Sequence, residues 1–319
     1  MSFWQDKSVF ITGASGFVGS HLVRQLLRKK ANVVTFSNDR SMNSQQSVSR
    51  ELGSVEDFRK LKDVIRKYRI NIIFHLAAQP IVEIGQTNPI QTFEVNVRGT
   101  WNVLEAARQN HVQKVIIAST AHVYGDNPKV PLKEEYFPQP SRPYETSKAC
   151  ADLLAQSFAD TYNLPVEIPR FVNIYGPADF NFERLIPKAI KSILKHGYLH
   201  MWDVGSIRDF LYIDDAICAY LMLAEKQIPN IKRVRVFNIG TGKPISIHDL
   251  IAKIVELIND GTIRIKTEKA PEERSNEIKK QYLSIAKARK ELGWYPKISL
   301  EEGLKKTIKW YKVNSSLFL

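Results

Sequence analysis

At 319 residues and 44% apolar content, the chain can bury a large core and is long for one compact domain, so two lobes are expected. Its net charge of +13 raises nucleic acid as a partner, yet the lysines are scattered beside acidic residues through helical stretches such as Arg59 to Lys67, which reads as a solvated surface. No apolar run approaches membrane-spanning length, Met1 to Asp6 carry no export pattern, and no Cys/His cluster has metal-ligand spacing, so a cytoplasmic protein without membrane, nucleic-acid or metal partners is expected, with Cys150 and Cys218 as core thiols.

Ser8 to Ile11 reads as a short buried strand, and Thr12-Gly13-Ala14-Ser15-Gly16-Phe17-Val18-Gly19 runs from it into a helical pattern ending near Lys30. Glycine is needed where a turn takes unusual dihedrals and where a backbone must approach a pyrophosphate, whose charge then sits on the helix N-terminus. Strand, glycine turn and helix in that order imply dinucleotide binding, although the Gly-x-x-Gly-x-x-Gly spacing differs from the Gly-x-Gly-x-x-Gly of many dinucleotide folds. Val33 to Phe36 is a second strand, and Asn43 to Arg50, polar and aperiodic, reads as a surface loop. Ser54 suits a helix N-cap, with Val55, Phe58, Leu61, Ile65 and Tyr68 at helical spacing. Ile70 to Phe74 is another buried strand, followed by His75-Leu76-Ala77-Ala78-Gln79-Pro80, whose small residues let a ligand lie close; His75 reads as structural.

Asn96 to Thr100 leads into a helix ending at Gln109, and Lys114 to Ser119 is a strand that delivers Thr120. The stretch Ser119-Thr120-Ala121-His122-Val123-Tyr124-Gly125 is followed by Pro143, fit for a first helical turn, and by Tyr144-Glu145-Thr146-Ser147-Lys148. A phenol and an ammonium at i and i+4 project from one helix face, where the cation would favour the phenolate and make Tyr144 a base for a hydroxyl proton. The same spacing also recurs on solvated helix faces. Val166 to Phe171 adds a further strand, and the alternation to this point predicts a doubly wound parallel α/β sheet.

From Asn173 the pattern is less regular. Arg208, within Ser206 to Asp215, can offer a bidentate fork to a phosphate or pair with Asp209 or Asp214. Val234 to Ile239 is a strand, Gly240-Thr241-Gly242 precedes a helix starting near Ser246, and Ser299 to Glu302 has capping-box spacing for the last helix, in which Ile308 and Trp310 pack.

Thr12 to Gly19, taken with Tyr144 and Lys148, resembles the extended short-chain dehydrogenase/reductase family, whose members mostly remodel nucleotide sugars, and the likeness covers nearly the whole chain. It implies a Rossmann-type domain over 1–172 and a smaller mixed α/β substrate domain over 173–319, some of whose segments return to the first. It also implies a homodimer. The implied cofactor is NAD, held by Gly13, Ser15, Gly16, Phe17, Val18, Gly19, Leu76, Ala77, Ala78, Gln79, Asn96, Tyr144 and Lys148. On the adenosine side Ser37 stands where the family places an acidic residue, followed by Asn38, Asp39 and Arg40, so NADP stays open through Arg40; Ser54, beside Val55, also lacks the family's acidic group. For a nucleotide-diphosphate sugar the likeness implies contacts from Gln79, Thr120, His122, Asn173, Arg184, Leu185, Arg208 and Arg274.

In such enzymes the catalytic tyrosine takes the C4 hydroxyl proton while hydride leaves the carbon, giving a 4-keto sugar. The 4,6-dehydratases then carry Asp followed by Glu or Lys directly after the Ser/Thr, because hydroxide leaves C6 only with an acid and the C5 proton needs a base. Here those positions hold Ala121 and His122. Alanine transfers no proton and His122 is one acid/base candidate where two are needed, so a 4-epimerase ranks first. A dehydratase with a relocated acid is second, supported by the likeness of His75 to Val82 to CDP-glucose 4,6-dehydratases. A 4-keto-sugar reductase and a non-catalytic dinucleotide-binding scaffold follow.

Overall fold

The structure is a computed structural model and describes residues 3–38, 47–203, 205–226, 235–258, 263–269 and 278–318. Asp39, Arg40 and Arg274, singled out in the sequence, lie outside the described residues.

Eight strands make a parallel sheet: β1 (Ser8–Thr12), β2 (Asn32–Ser37), β3 (Val48–Leu52), β4 (Ile72–His75), β5 (Lys114–Ile117), β6 (Ser119–Thr120), β7 (Val166–Phe171) and, after four strands outside it, β12 (Arg235–Ile239). Their order is β12-β7-β5-β4-β1-β2-β3, with β6 alongside β7, and every pairing is parallel. The chain steps from β1 outward through β2 and β3, then crosses back to β4 and continues the other way. That reversal between β1 and β4 leaves a crevice at the carboxyl ends of the strands, where open α/β sheets bind ligands.

Parallel strands buried on both faces need apolar residues at successive positions, and these have them. Phe10, Val34, Ile73, Val115 and Ile117 point into one core, whereas Val9, Ile11, Val33, Ile72, Phe74 and Ile116 point into the other. Each such side chain contributes about 1.5–3 kcal/mol when fully buried. On the first face pack α2 (Phe58–Lys67), α5 (Gly99–Gln109) and α6 (Pro143–Tyr162), and two short helices, α3 (Val82–Thr87) and α4 (Pro89–Phe93), lean on α6. On the second lie α1 (Phe17–Arg28) and α8 (Ile213–Glu225).

The later chain builds smaller sheets: β8 (Asn173–Tyr175) with β11 (Phe210–Tyr212), β9 (Tyr198–Asp203) with β14 (Arg264–Lys269), and β10 (Ile207–Arg208) between β13 (Ile245–Ser246) and β15 (Lys280–Gln281). Helices α7 (Leu185–His196), α9 (Ile247–Ile258) and α10 (Leu300–Val313) pack among these, and Ser299 caps α10 by accepting from the Glu302 amide at 3.2 Å. Among the described residues no helix is long and apolar enough to cross a membrane.

Three expectations need correction. Val48 to Arg50, read as loop, belong to edge strand β3; pairing with the free side of β2 supplies the order, and an edge strand needs no apolar alternation. Asp57, not Ser54, caps α2, its carboxylate accepting from the Lys60 amide at 3.0 Å, while Ser54 supplies a carbonyl to the preceding turn. Cys150 and Cys218 are half-buried rather than fully buried, and Cys218 packs against the core.

Candidate active site

The crevice widens into a cavity of about 880 Å³ whose lining includes Thr120, His122, Tyr144, Arg184, Tyr198 and Arg208. Val18, just past the turn after β1, also lines it. Gly13 has φ +70°, in the region favouring glycine, and a Cβ there would sit 2.7 Å from the Ala77 nitrogen. A Cβ on Gly19 would sit 2.2 Å from the Gly13 carbonyl oxygen, so α1 starts hard against the turn. Gly16 is the N-cap and offers no side-chain acceptor, and the first turn of α1 holds no acidic residue. Unopposed amides and a positive helix end fit a pyrophosphate. Ser15 lies in this turn and Phe17 opens the helix, while Val18 turns into the cavity. On the adenosine side, Gly53 donates to the Ser37 carbonyl at 3.0 Å, which brings Ser37 and Asn38 beside Ser54 and buried Val55.

A hydrogen-bond chain fixes the loop after β4. Burial lowers His75 to about 3, so the ring is neutral. The Ala77 amide donates to the Thr12 hydroxyl at 3.2 Å, and that hydroxyl donates to His75 Nδ1 at 2.8 Å; the Thr100 hydroxyl donates to the Asn96 carbonyl at 2.6 Å and accepts from Nε2 at 3.2 Å. Asn96 accepts from the Gln79 amide at 2.7 Å and donates to the Gln79 carbonyl and to Ser147 of α6. The Gln79 side chain is itself taken up by Ile81 and Thr92, so Gln79 and Asn96 shape the Leu76-to-Gln79 wall instead of presenting free amides to a ligand.

Thr120 ends β6 and hydrogen-bonds the Tyr144 phenol. The expectation for the phenol is overturned: burial raises it, and the influences that lower it are the Arg184 charge and the Thr120 hydroxyl. Lys148 donates to the Ala118 carbonyl at 2.6 Å, and burial pulls its ammonium down to about 8 against the Asp152 charge that raises it. Beneath them lies a charged network that sequence reading missed. Arg170 on β7 forms a fork with Asp152 at 2.8 and 2.9 Å, Asp152 accepts from the Ser119 hydroxyl at 2.6 Å, and Arg170 reaches the Tyr124 phenol at 2.9 Å. The signal for Asp152 was available, since Tyr144, Lys148 and Asp152 follow one helix face at i, i+4 and i+8.

His122 stands edge-on to Tyr144 with ring centroids 5.9 Å apart. Its Nδ1 lies 3.7 Å from Oε1 of Glu145, a buried carboxylate that sequence reading passed over, as it did Glu83 in the cavity wall. Further along, Arg184 pairs with Asp179 at 3.0 Å, Leu185 opens α7, and Asn173 donates to the Asp209 carbonyl at 3.4 Å. Arg208 donates to the carbonyls of Ile207 and Lys279, while buried Asp209 accepts from the Thr241 and Gly242 amides. Among the described residues no group of His, Cys, Asp or Glu has metal-site geometry.

The family model described as GDP-mannose 4,6 dehydratase matches residues 10–307. The dTDP-D-glucose 4,6-dehydratase of Homo sapiens is 31% identical over 97% of this chain and 91% of its own. Among solved structures, the Thermotoga maritima UDP-glucose 4-epimerase with UDP-glucose has a TM-score of 0.88 at 30% identity, covering 97% of this chain and 99% of that one. The Thermus thermophilus UDP-glucose 4-epimerase with NAD has a TM-score of 0.86 at 27% identity, covering 96% and 99%. With the glycine turn, the crossover crevice and the Thr120, Tyr144 and Lys148 cluster in place, the chain belongs to the extended short-chain dehydrogenase/reductase family, in the nucleotide-sugar epimerase and dehydratase group.

Proposed function

We propose that the protein is an NAD-dependent nucleotide-sugar 4-epimerase working through a 4-keto intermediate. NAD, when bound, would supply the hydride acceptor and donor for the sugar carbon. The Gly13-to-Gly19 turn would hold its diphosphate, Ser37, Ser54 and Val55 would border the adenosine, and the Leu76-to-Gln79 wall would lie beside it. Tyr144, as the phenolate that the Arg184 charge and the Thr120 hydroxyl favour against burial, takes the C4 hydroxyl proton and gives it back. Thr120 holds the oxygen during the exchange, and Lys148 fixes a cation at the base of the site through the Ala118 carbonyl. Arg184 and Arg208, both in the cavity wall, suit the substrate diphosphate.

One observation carries the choice of epimerase. Ala121, 1% exposed and next to Thr120, can protonate no leaving oxygen, so the C6 hydroxyl stays on the sugar while the keto group is remade as an alcohol of inverted configuration. The dehydratase reading has one observation in its favour, the presence of His122 and Glu83 in the same cavity wall. We further propose the division at residue 172 into cofactor and substrate domains, and a homodimer formed across α5 and α6, where Trp101, Leu153 and Tyr162 stand exposed.

Tyr144→Phe tests the mechanism. It should abolish turnover, with a loss of at least about 100-fold, while NAD remains bound. Wild-type turnover in that variant would remove Tyr144 from the reaction.

A further inference from the structure

We propose that Glu145 is a positioning residue that fixes the tautomer of His122, with the proton on Nδ1, so that Nε2 faces the cavity as a base for a carbon-bound proton beside the keto carbon. The inference rests on the 4-keto reading above for its substrate, but not for its geometry.

Glu145 is 1% exposed and follows Tyr144 on α6. Its Oε2 accepts from the Ser141 amide at 3.2 Å and the Ser141 hydroxyl at 3.4 Å. Among the described residues its Oε1 has no hydrogen-bond partner, and neither has His122 Nδ1; both are buried, and they face one another at 3.7 Å. A buried carboxylate oxygen without a donor is unfavourable, and the imidazole is the group placed to relieve it. The contact is longer than a hydrogen bond, as catalytic contacts without a bound substrate often are. Burial raises the Glu145 carboxyl, but the His122 contact, the Ser141 amide and the Arg142 charge more than offset this, so it stays ionised. An ionised acceptor on one side of an imidazole draws the proton to that nitrogen and leaves the other with its lone pair. With Nδ1 buried against Glu145, the exposed part of the His122 ring, 26% of its side chain, is the part that lines the cavity.

The edge contact of His122 with Tyr144 places this base one ring away from the group that serves the alcohol carbon. Once that carbon is a ketone, the hydrogens on its neighbours are acidic. Nε2 takes one such proton and the C–H electron pair moves into the carbonyl, whose oxygen Thr120 and Tyr144 hold. The same proton, or one from water, then returns to the carbon. Ala121 provides no acid for an adjacent hydroxyl, so the outcome is exchange or inversion at that carbon and not elimination.

The isosteric variant Glu145→Gln has a defined consequence. The Ser141 amide requires an oxygen at the Oε2 position, so the new NH2 must face Nδ1 and donate to it, which drives the proton to Nε2. Nitrogen-15 NMR of histidine-labelled protein should report Nδ1–H for His122 in the wild type and Nε2–H in Glu145→Gln. An Nε2–H wild type, or the same tautomer in both, overturns the proposal whatever the substrate. In heavy water with NAD and nucleotide hexoses, deuterium should enter a carbon beside C4, at least about 100-fold more slowly in Glu145→Gln. C4 inversion or keto-sugar formation without deuterium entry overturns the base and leaves the 4-keto reading standing. Absence of any C4-inverted or keto sugar, with the tautomers as stated, overturns that reading instead. His122→Gln should lose the exchange equally, and adding Glu145→Gln to it should change nothing further; an additive loss would make Glu145 merely structural.

Discussion

Asp152→Ala removes the carboxylate around which the floor of the site is assembled. Arg170 is 2% exposed and Asp152 is fully buried, so the variant leaves a guanidinium in the interior with the Tyr124 phenol as its remaining polar neighbour in this network. Burial alone would lower Arg170, yet Asp152 and Tyr124 more than offset it and hold the guanidinium above its usual value. Breaking such a buried pair by removing one partner costs about 3–5 kcal/mol. Unfolding entropy of about 2.1 cal/mol/K per residue over 319 residues gives about 0.7 kcal/mol/K, so the melting temperature should fall by about 4–7 °C. Scanning calorimetry measures it. The double variant Asp152→Leu with Arg170→Met replaces both charges and should recover most of the loss. A fall of less than about 1 kcal/mol, or a double variant weaker than the single, would refute the reasoning. Turnover should fall as well in Asp152→Ala, because the Ser119 hydroxyl loses its acceptor one residue before Thr120.

Two further outcomes follow from the cofactor and cation positions. Burial sets Lys148 near 8, below the 10.5 of a free lysine, so the ammonium is lost as pH rises through about 8 and kcat should decline above it, while a kcat that stays level to about pH 9.5 would deny the cation a role. The stability effect has the opposite sign: the native chain binds fewer protons than the unfolded one between about 8 and 10.5, so this group makes stability rise with pH in that window. Gly19→Ala would force a Cβ to 2.2 Å from a backbone oxygen; overpacking strain of about 1–3 kcal/mol in the turn should weaken NAD binding about 5- to 150-fold by titration calorimetry, and an unchanged affinity would remove the turn from the site.

The first strand, the glycine turn and α1 were legible because each rests on local chemistry: an apolar run, residues without Cβ, and an amphipathic repeat. The Pro143 start of α6 and the Ser299 cap were legible for the same reason. Strand β3 was not, since its order comes from the free edge of β2 and not from its own residues. The i, i+4 spacing placed Tyr144 and Lys148 on one face but could not reveal that the ammonium is spent on the Ala118 carbonyl, thirty residues earlier and on another element. Nor could it reveal Arg184 as the charge that lowers the phenol. The His122 and Glu145 contact had no sequence signal, because the fold alone brings the turn after β6 against the start of α6.

The most direct test of the central claim is the product formed from NAD and a panel of UDP-, CDP-, GDP- and dTDP-hexoses, followed by proton NMR. The account predicts a hexose inverted at C4 that keeps its C6 hydroxyl, and the nucleotide that supports it identifies the substrate. A 6-deoxy-4-keto product would contradict the account and make the enzyme a dehydratase whose acid is not at position 121.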